Sequence, residues 1–159
     1  MNIYAPDVNL MTFILHDVLQ ADETLLKERD LDRDTVTAIL DEAAKLARDV
    51  LAPLNPVGDS QGNKLEDGVV TTAKGFREAY AQYRDGGWNA VPFPEDFGGQ
   101  DLPWTLAFPI QEMWQASNMS FGLCPLLNQG AVEAIHAHGS DAQKETYLPN
   151  LISGVWTGT

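Results

Sequence analysis

Residues 91–129, VPFPEDFGGQDLPWTLAFPIQEMWQASNMSFGLCPLLNQ, decide how the rest of the chain is read. The stretch opens on a rigid loop. Pro92 and Pro94 fix φ, and Gly98 and Gly99 permit backbone conformations closed to other residues. It continues into two nearly unbroken apolar segments, each long enough for a helix. A helix that is apolar all round belongs at the centre of a fold, so the more amphipathic chain before it is expected to pack around this centre.

Working outward, Pro103 suits a helix start. Leu106, Ile110, Met113 and Trp114 share the spacing of one buried side. Asn118-Met119 begins a further helix, with Phe121, Leu123, Leu126, Leu127, Val132 and Ile135 expected inside and Gly139 as terminator. Pro109 and Pro125 fall within these segments, and an uncompensated interior proline costs about 3 kcal/mol. A bend that shapes a cavity and an early helix position both account for them. Ser140 and Gln143 form the S-x-x-Q capping box of a last helix through Tyr147, Leu148, Leu151 and Ile152. The closing VWTGT is rich in strand formers and reads as the opening of a strand, as if the chain were cut there.

Before the central stretch, Leu10, Phe13, Ile14, Val18 and Leu19 fall at helical spacing after Asp7 or Asn9, either of which can cap. His16 and Asp17 then lie on the exposed side of that helix. Val36, Ile39, Leu40, Ala43, Leu46, Ala47, Val50 and Leu51 make the clearest amphipathic helix, with Pro53 expected to stop it. The run from Asn55 to Gly68 is full of turn formers and reads as an exposed loop. Phe76, Ala79, Tyr80 and Tyr83 share one face of another helix that ends at Gly86-Gly87.

A chain of 159 residues that is 44% hydrophobic can bury a core as one domain. Its net charge of -13 is spread along it, -8 over residues 1–67 and -5 over residues 68–159. With no basic patch to displace counterions from phosphates, nucleic-acid binding is not expected. The lone cysteine, Cys124, excludes an internal disulfide and sits in an apolar run, which predicts a buried packing thiol. No apolar run approaches the ~20 residues of a membrane span, and MNIYAPDVNL lacks the basic start of a secretory signal. A cytoplasmic location is the expectation.

The residues offer little catalytic chemistry. Asp30, Asp32 and Asp34 alternate as in a calcium loop, but Thr35 stands where that loop needs Gly and Asp41 where it needs Glu. Capping the next helix is the simpler use. His136 and His138 are two apart, on different sides of a helix, so they cannot share a metal as an i, i+4 pair could. Glu112 and Glu133 are acids in the apolar region, expected to face solvent or pair. The Gly98-Gly99 pair has neither the preceding strand nor the following Lys-Ser/Thr of a phosphate loop. No catalytic, metal or cofactor-binding residue is assigned.

Four pieces in order carry a resemblance: YAPDVNLMTFILHDVL (4–19), VPFPEDFGGQDLPW (91–104), EMWQASNMSFGLCPLLNQGAVEAIHAHGS (112–140) and SDAQKETYLPNLISGVWTGT (140–159). Together they resemble the N-terminal helical domain of flavin-dependent acyl-CoA dehydrogenases. The first piece is similar to an N-terminal extension in a larger bacterial branch that includes 3-methylmercaptopropionyl-CoA dehydrogenase. The resemblance implies an all-α bundle of about five to six helices, truncated at the start of a β-domain. Residues 1–30 would be the extension with its short helix, 31–154 the helical domain, and 155–159 the start of the missing flavin-binding β-domain. It implies a parent enzyme that oxidises an acyl-CoA thioester to the 2,3-enoyl-CoA with FAD as hydride acceptor. An electron-transfer acceptor and a homo-oligomer go with that.

In the family the catalytic Glu lies in the C-terminal domain and the flavin-contacting strand begins just after Thr159, so neither carries over to this chain. Val155 stands where the family usually has Glu. The helix after Asn118 lines the acyl pocket in the family, which makes Phe121, Leu123, Leu126 and Leu127 the implied substrate-binding positions. The fragment is expected to hold no FAD and to be inactive alone. A stand-alone helical interaction module without catalysis is the alternative.

Overall fold

The structure, a computed structural model, describes residues 4–158 without the side chain of Glu28. Residues 1–3 of the extension and Thr159 of the expected strand lie outside the described residues. The described residues are mainly helical, with one hairpin, as expected for an all-α bundle. Helix α1 (Val8–Phe13) is capped by Asp7, whose side chain accepts from Leu10 N at 3.0 Å. It runs on into a wider turn, Ile14–Val18, in which Leu19 N donates five residues back to Ile14 O at 2.9 Å.

After two short 3₁₀ turns comes α2 (Arg33–Leu46), capped by Asp32, which accepts from Thr35 N at 2.8 Å. Of the acids at the start of this helix, Asp32 serves as its cap. Pro53 does not stop the helix, contrary to expectation. A second wide turn, Ala47–Leu51, leads directly into α3 (Ala52–Gln61), so α2 and α3 form one continuous rod. A proline in a helix clashes with the carbonyl four residues back, and the i, i+5 turn just before Pro53 opens the backbone there.

Residues 55–68 are correspondingly not a plain loop. The first half is α3, and the second enters an antiparallel hairpin of β1 (Lys64–Glu66) and β2 (Val69–Thr71), with Leu65 opposite Val70. Its turn is Asp67-Gly68, both at positive φ (49° and 78°). That is the I′ geometry for which Asp-Gly is a strong hairpin signal.

The remaining elements follow the sequence closely. Helix α4 (Phe76–Asp85) ends at Gly86 and buries Ala79 and Tyr83. A compact loop follows, then α5 (Trp104–Ser117), α6 (Met119–His138) and α7 (Asp141–Ile152). Ser140 and Gln143 form the expected capping box. Helix α5 is the hub, packed on α2 and on α6, which in turn packs on α7. The main core brings Val36, Leu40 and Leu51 of the rod against Tyr83, Leu106, Ile110, Met113 and Trp114. A second cluster joins Phe93 and Val132 to Leu148 and Ile152. Tyr83 meets Trp114 and Phe121 edge to face, with centroids 5.9 and 5.7 Å apart, a favoured aromatic geometry.

Two burial expectations are reversed, and one expected strand does not form. In α1 and its extension, Leu10, Phe13, Ile14, Val18 and Leu19 are exposed, whereas Thr12, Leu15 and His16 are buried. Val8, Met11 and Leu15 form a competing apolar set at helical spacing, and that set packs on the core. His16 goes inside with it, its Nδ1 2.6 Å from Asp22 Oδ1. In α6, Leu123, Leu126 and Leu127 are exposed, as is Cys124, expected to be buried. Finally, residues 155–158 form no strand: Val155 and Trp156 make a bend, and 157–158 are irregular. A strand needs a ladder partner, and the described residues offer none there.

Candidate functional site

Helix α6 has two faces of different character. It begins at Asn118, whose Oδ1 accepts from Phe121 N at 3.1 Å while its Nδ2 donates to Leu51 O at 3.1 Å. One side chain thus caps α6 and ties it to the rod. The inner face carries Phe121, Gly122, Pro125, Asn128, Gln129 and Val132. Gln129 Oε1 accepts from Gln111 Nε2 of α5 at 2.6 Å.

On the opposite side, Leu123, Leu126 and Leu127 are 47%, 42% and 53% exposed, and Gly130 and Ala134 are exposed with them. Residues 123, 126, 127, 130 and 134 follow the i, i+3, i+4, i+7 rule, so they make one continuous outward apolar face. Of the four positions predicted to line an acyl pocket, this face unites three. Phe121 stands apart on the inner side.

Phe121 reaches a different space. With Phe76, Tyr80, Val70, Arg77 and Cys124 it lines an open cavity of about 740 Å³ between the hairpin, α4 and α6. Tyr80 donates to Gly154 O at 2.9 Å. Burial, and next the neighbouring Cys124, push its hydroxyl above the ordinary tyrosine range. Partial burial likewise pushes the Cys124 thiol up, away from the thiolate a nucleophile needs.

The sequence reading missed the polar residues under this site. Asn89 and Asn128 are buried and bonded to each other and to the end of α7. An Asn-Gln pair at 128–129, inside an otherwise apolar run, was the available signal. The other candidates stay apart. His136 stacks edge-on with Phe97, centroids 6.2 Å apart, and His138, Glu112 and Glu133 are exposed. Among the described residues no group of three His, Cys, Asp or Glu is placed to hold a metal ion. No described helix is long and apolar enough to cross a membrane.

The glycine pair does not form a phosphate cradle. Gly99 N donates to Pro94 O at 2.9 Å, and a Cβ on Gly99 would lie 1.8 Å from Phe93 O. The pair closes the loop on its own backbone, with Asp101 N on Phe93 O at 2.8 Å and Leu102 N on Val91 O at 3.0 Å. This loop by itself does not fit a flavin phosphate.

Against this geometry the comparisons are decisive. The profile "Acyl-CoA dehydrogenase, N-terminal domain" matches residues 33–155. The chain belongs to the acyl-CoA dehydrogenase family. It is 40% identical to the 3-methylmercaptopropionyl-CoA dehydrogenase of Ruegeria pomeroyi over 137 residues, 86% of this chain and 23% of that protein. It is 33% identical to a butyryl-CoA dehydrogenase of Syntrophomonas wolfei over 129 residues, 79% of this chain and 21% of that protein. The chain therefore spans under a quarter of these curated relatives. Its fold resembles that of a chain in a structure of the electron transferring flavoprotein of Acidaminococcus fermentans. The TM-score is 0.64 at 23% identity, covering 80% of this chain and 30% of that one.

Proposed function

We propose that this chain is the N-terminal part of an enzyme that oxidises an acyl-CoA thioester to the 2,3-enoyl-CoA. In this reading residues 1–30 are an extension, 31–154 the helical domain, and 155–159 the approach to a flavin-binding β-domain. Bound in the parent, FAD would supply the hydride acceptor. An electron-transfer acceptor, a homo-oligomeric parent and a cytoplasmic location belong to the same reading.

The observation that carries it is the outward apolar face of α6, on a chain of this family that spans under a quarter of its relatives. Such a face needs a covering, and an acyl chain lying between it and the rest of the parent provides one. Leu123, Leu126 and Leu127 are the wall, and Phe121 braces its inner end. Their part is to bind the acyl chain and exclude water. No catalytic residue is assigned to this chain, and it is inactive alone.

Each methylene buried against such a wall is worth about 0.8 kcal/mol, roughly fourfold in affinity. In the full-length parent, Leu127→Trp is expected to lower kcat/KM for long acyl-CoA substrates by roughly tenfold or more. A short substrate should be little affected. An unchanged chain-length profile would remove Leu127 from the pocket. The purified chain alone is expected to be colourless, and a yellow, active fragment would overturn the reading of an incomplete site. A second reading, a helical interaction module, is favoured by the exposed apolar face of α1. A full-length parent devoid of dehydrogenase activity would support that reading instead.

A further inference from the structure

The last carbonyls of α7 have no partner within their helix; Leu151 O accepts from Gly154 N just beyond it at 3.2 Å, and two buried asparagines add further bonds. Asn89 Nδ2 donates to Leu151 O at 2.7 Å and to Ile152 O at 3.0 Å. Asn128 Nδ2 donates to Leu151 O at 2.9 Å and to Asn89 Oδ1 at 3.3 Å. The two side chains are 1% and 0% exposed, so these bonds form away from water, where leaving a partner unpaired is costly.

Capping α7 does not require both residues, because Asn89 already reaches both carbonyls. What Asn128 adds is a bond in another direction. Its Oδ1 accepts from Gly158 N at 3.0 Å, which holds the segment after α7 against α6. The approach is close, since a Cβ on Gly158 would lie 2.4 Å from Ala131 Cβ. Nearer α7, the segment is also tied by Tyr80 to Gly154 O and by Trp156 N to Asn150 O at 3.0 Å. Asn128 is the next residue after Leu127, so this one side chain connects the α6 wall with the departing backbone.

We propose that Asn128 is a positioning residue for the acyl site, fixing the α6 wall relative to the part of the parent entered through residues 155–158. This rests on the function proposed above. A misplacement of about 1 Å in a reacting geometry can cost on the order of a hundredfold in rate, so a tie at this junction bears on turnover as well as on stability.

The test uses the full-length parent with Asn128→Ala, Asn89→Ala and Gly158→Ala. Asn89→Ala removes cap bonds and leaves the Gly158 tie. Gly158→Ala pushes the segment off Asn128 and leaves the cap. All three are expected to bind flavin. Asn128→Ala and Gly158→Ala should lower kcat by roughly tenfold and shift the preferred acyl length, whereas Asn89→Ala should lower only the melting temperature. If Asn128→Ala fails to fold, Gly158→Ala decides. Kinetics of Gly158→Ala equal to wild type, or of Asn128→Ala equal to Asn89→Ala, would overturn the proposal while leaving the assigned function intact. A wild-type parent without dehydrogenase activity would overturn both.

Discussion

Tyr83 shows how far one residue can be moved from its behaviour in water. Its side chain is fully buried among Trp114, Phe121 and Tyr80. Burial first, then the nearby Tyr80 and Cys124, raise its hydroxyl far above the ordinary tyrosine range. An unfolded chain would ionise Tyr83 near pH 10 while the folded one keeps it neutral. The folded state then binds the extra proton. The contribution is fully present below pH ~10 and is lost as the pH rises further, by at most about 1.4 kcal/mol per pH unit. Tyr83→Phe is therefore expected to flatten the alkaline loss of stability, measured by urea unfolding between pH 9 and 11. Parallel curves for the two proteins would contradict this.

Among the elements, the loop of residues 91–99 is tightly constrained by its own backbone. Gly98 sits at φ 88° with open space around it, whereas Gly99 is pressed against Phe93 and Pro94 backbone. The two neighbours should respond differently. Gly98→Ala bears only a conformational cost of about 1 kcal/mol. Gly99→Ala meets backbone that cannot yield and should cost roughly 3 kcal/mol or more. Comparing their melting temperatures tests this, and equal values would mean that the loop opens easily. Helices α1 and α6 teach a related lesson. Each carries apolar residues on more than one side, so spacing proposes several inner faces and cannot rank them. In α1 the set Val8, Met11 and Leu15 prevailed. In α6 the buried positions include Asn128 and Gln129, while three leucines face outward.

At the scale of the molecule, two of the apolar surfaces that the described chain leaves exposed lie on helices. One is the outer face of α6, and the other runs along α1 through Leu10, Phe13, Ile14, Val18 and Leu19. Patches of this kind bind apolar dyes and drive association. The isolated chain is expected to enhance anilinonaphthalene sulfonate fluorescence and to self-associate with rising concentration. The full-length parent should enhance the dye far less. A monomeric fragment silent towards the dye would mean that these faces are covered by rearrangement of the chain itself.

Local chemistry by itself determined much of this protein. The caps at Asp7, Asp32, Asn118 and Ser140 depend on neighbours within a few residues, and so does the end of α4 at Gly86. The strongly amphipathic faces of α2 and α4 have a single way to be buried. The Asp67-Gly68 hairpin was equally local, and its signal was overlooked in a run of turn formers. Four ordered segments were enough to indicate the family. Only the tertiary structure decided that the chain continues helically past Pro53, that His16 lies inside on Asp22, and which side of α6 faces water. It also brought Asn89 and Asn128 together at the end of α7, although they are 39 residues apart. Bonds and contacts across such distances depend on how helices dock, which the spacing of apolar residues along one helix does not specify when every side is apolar.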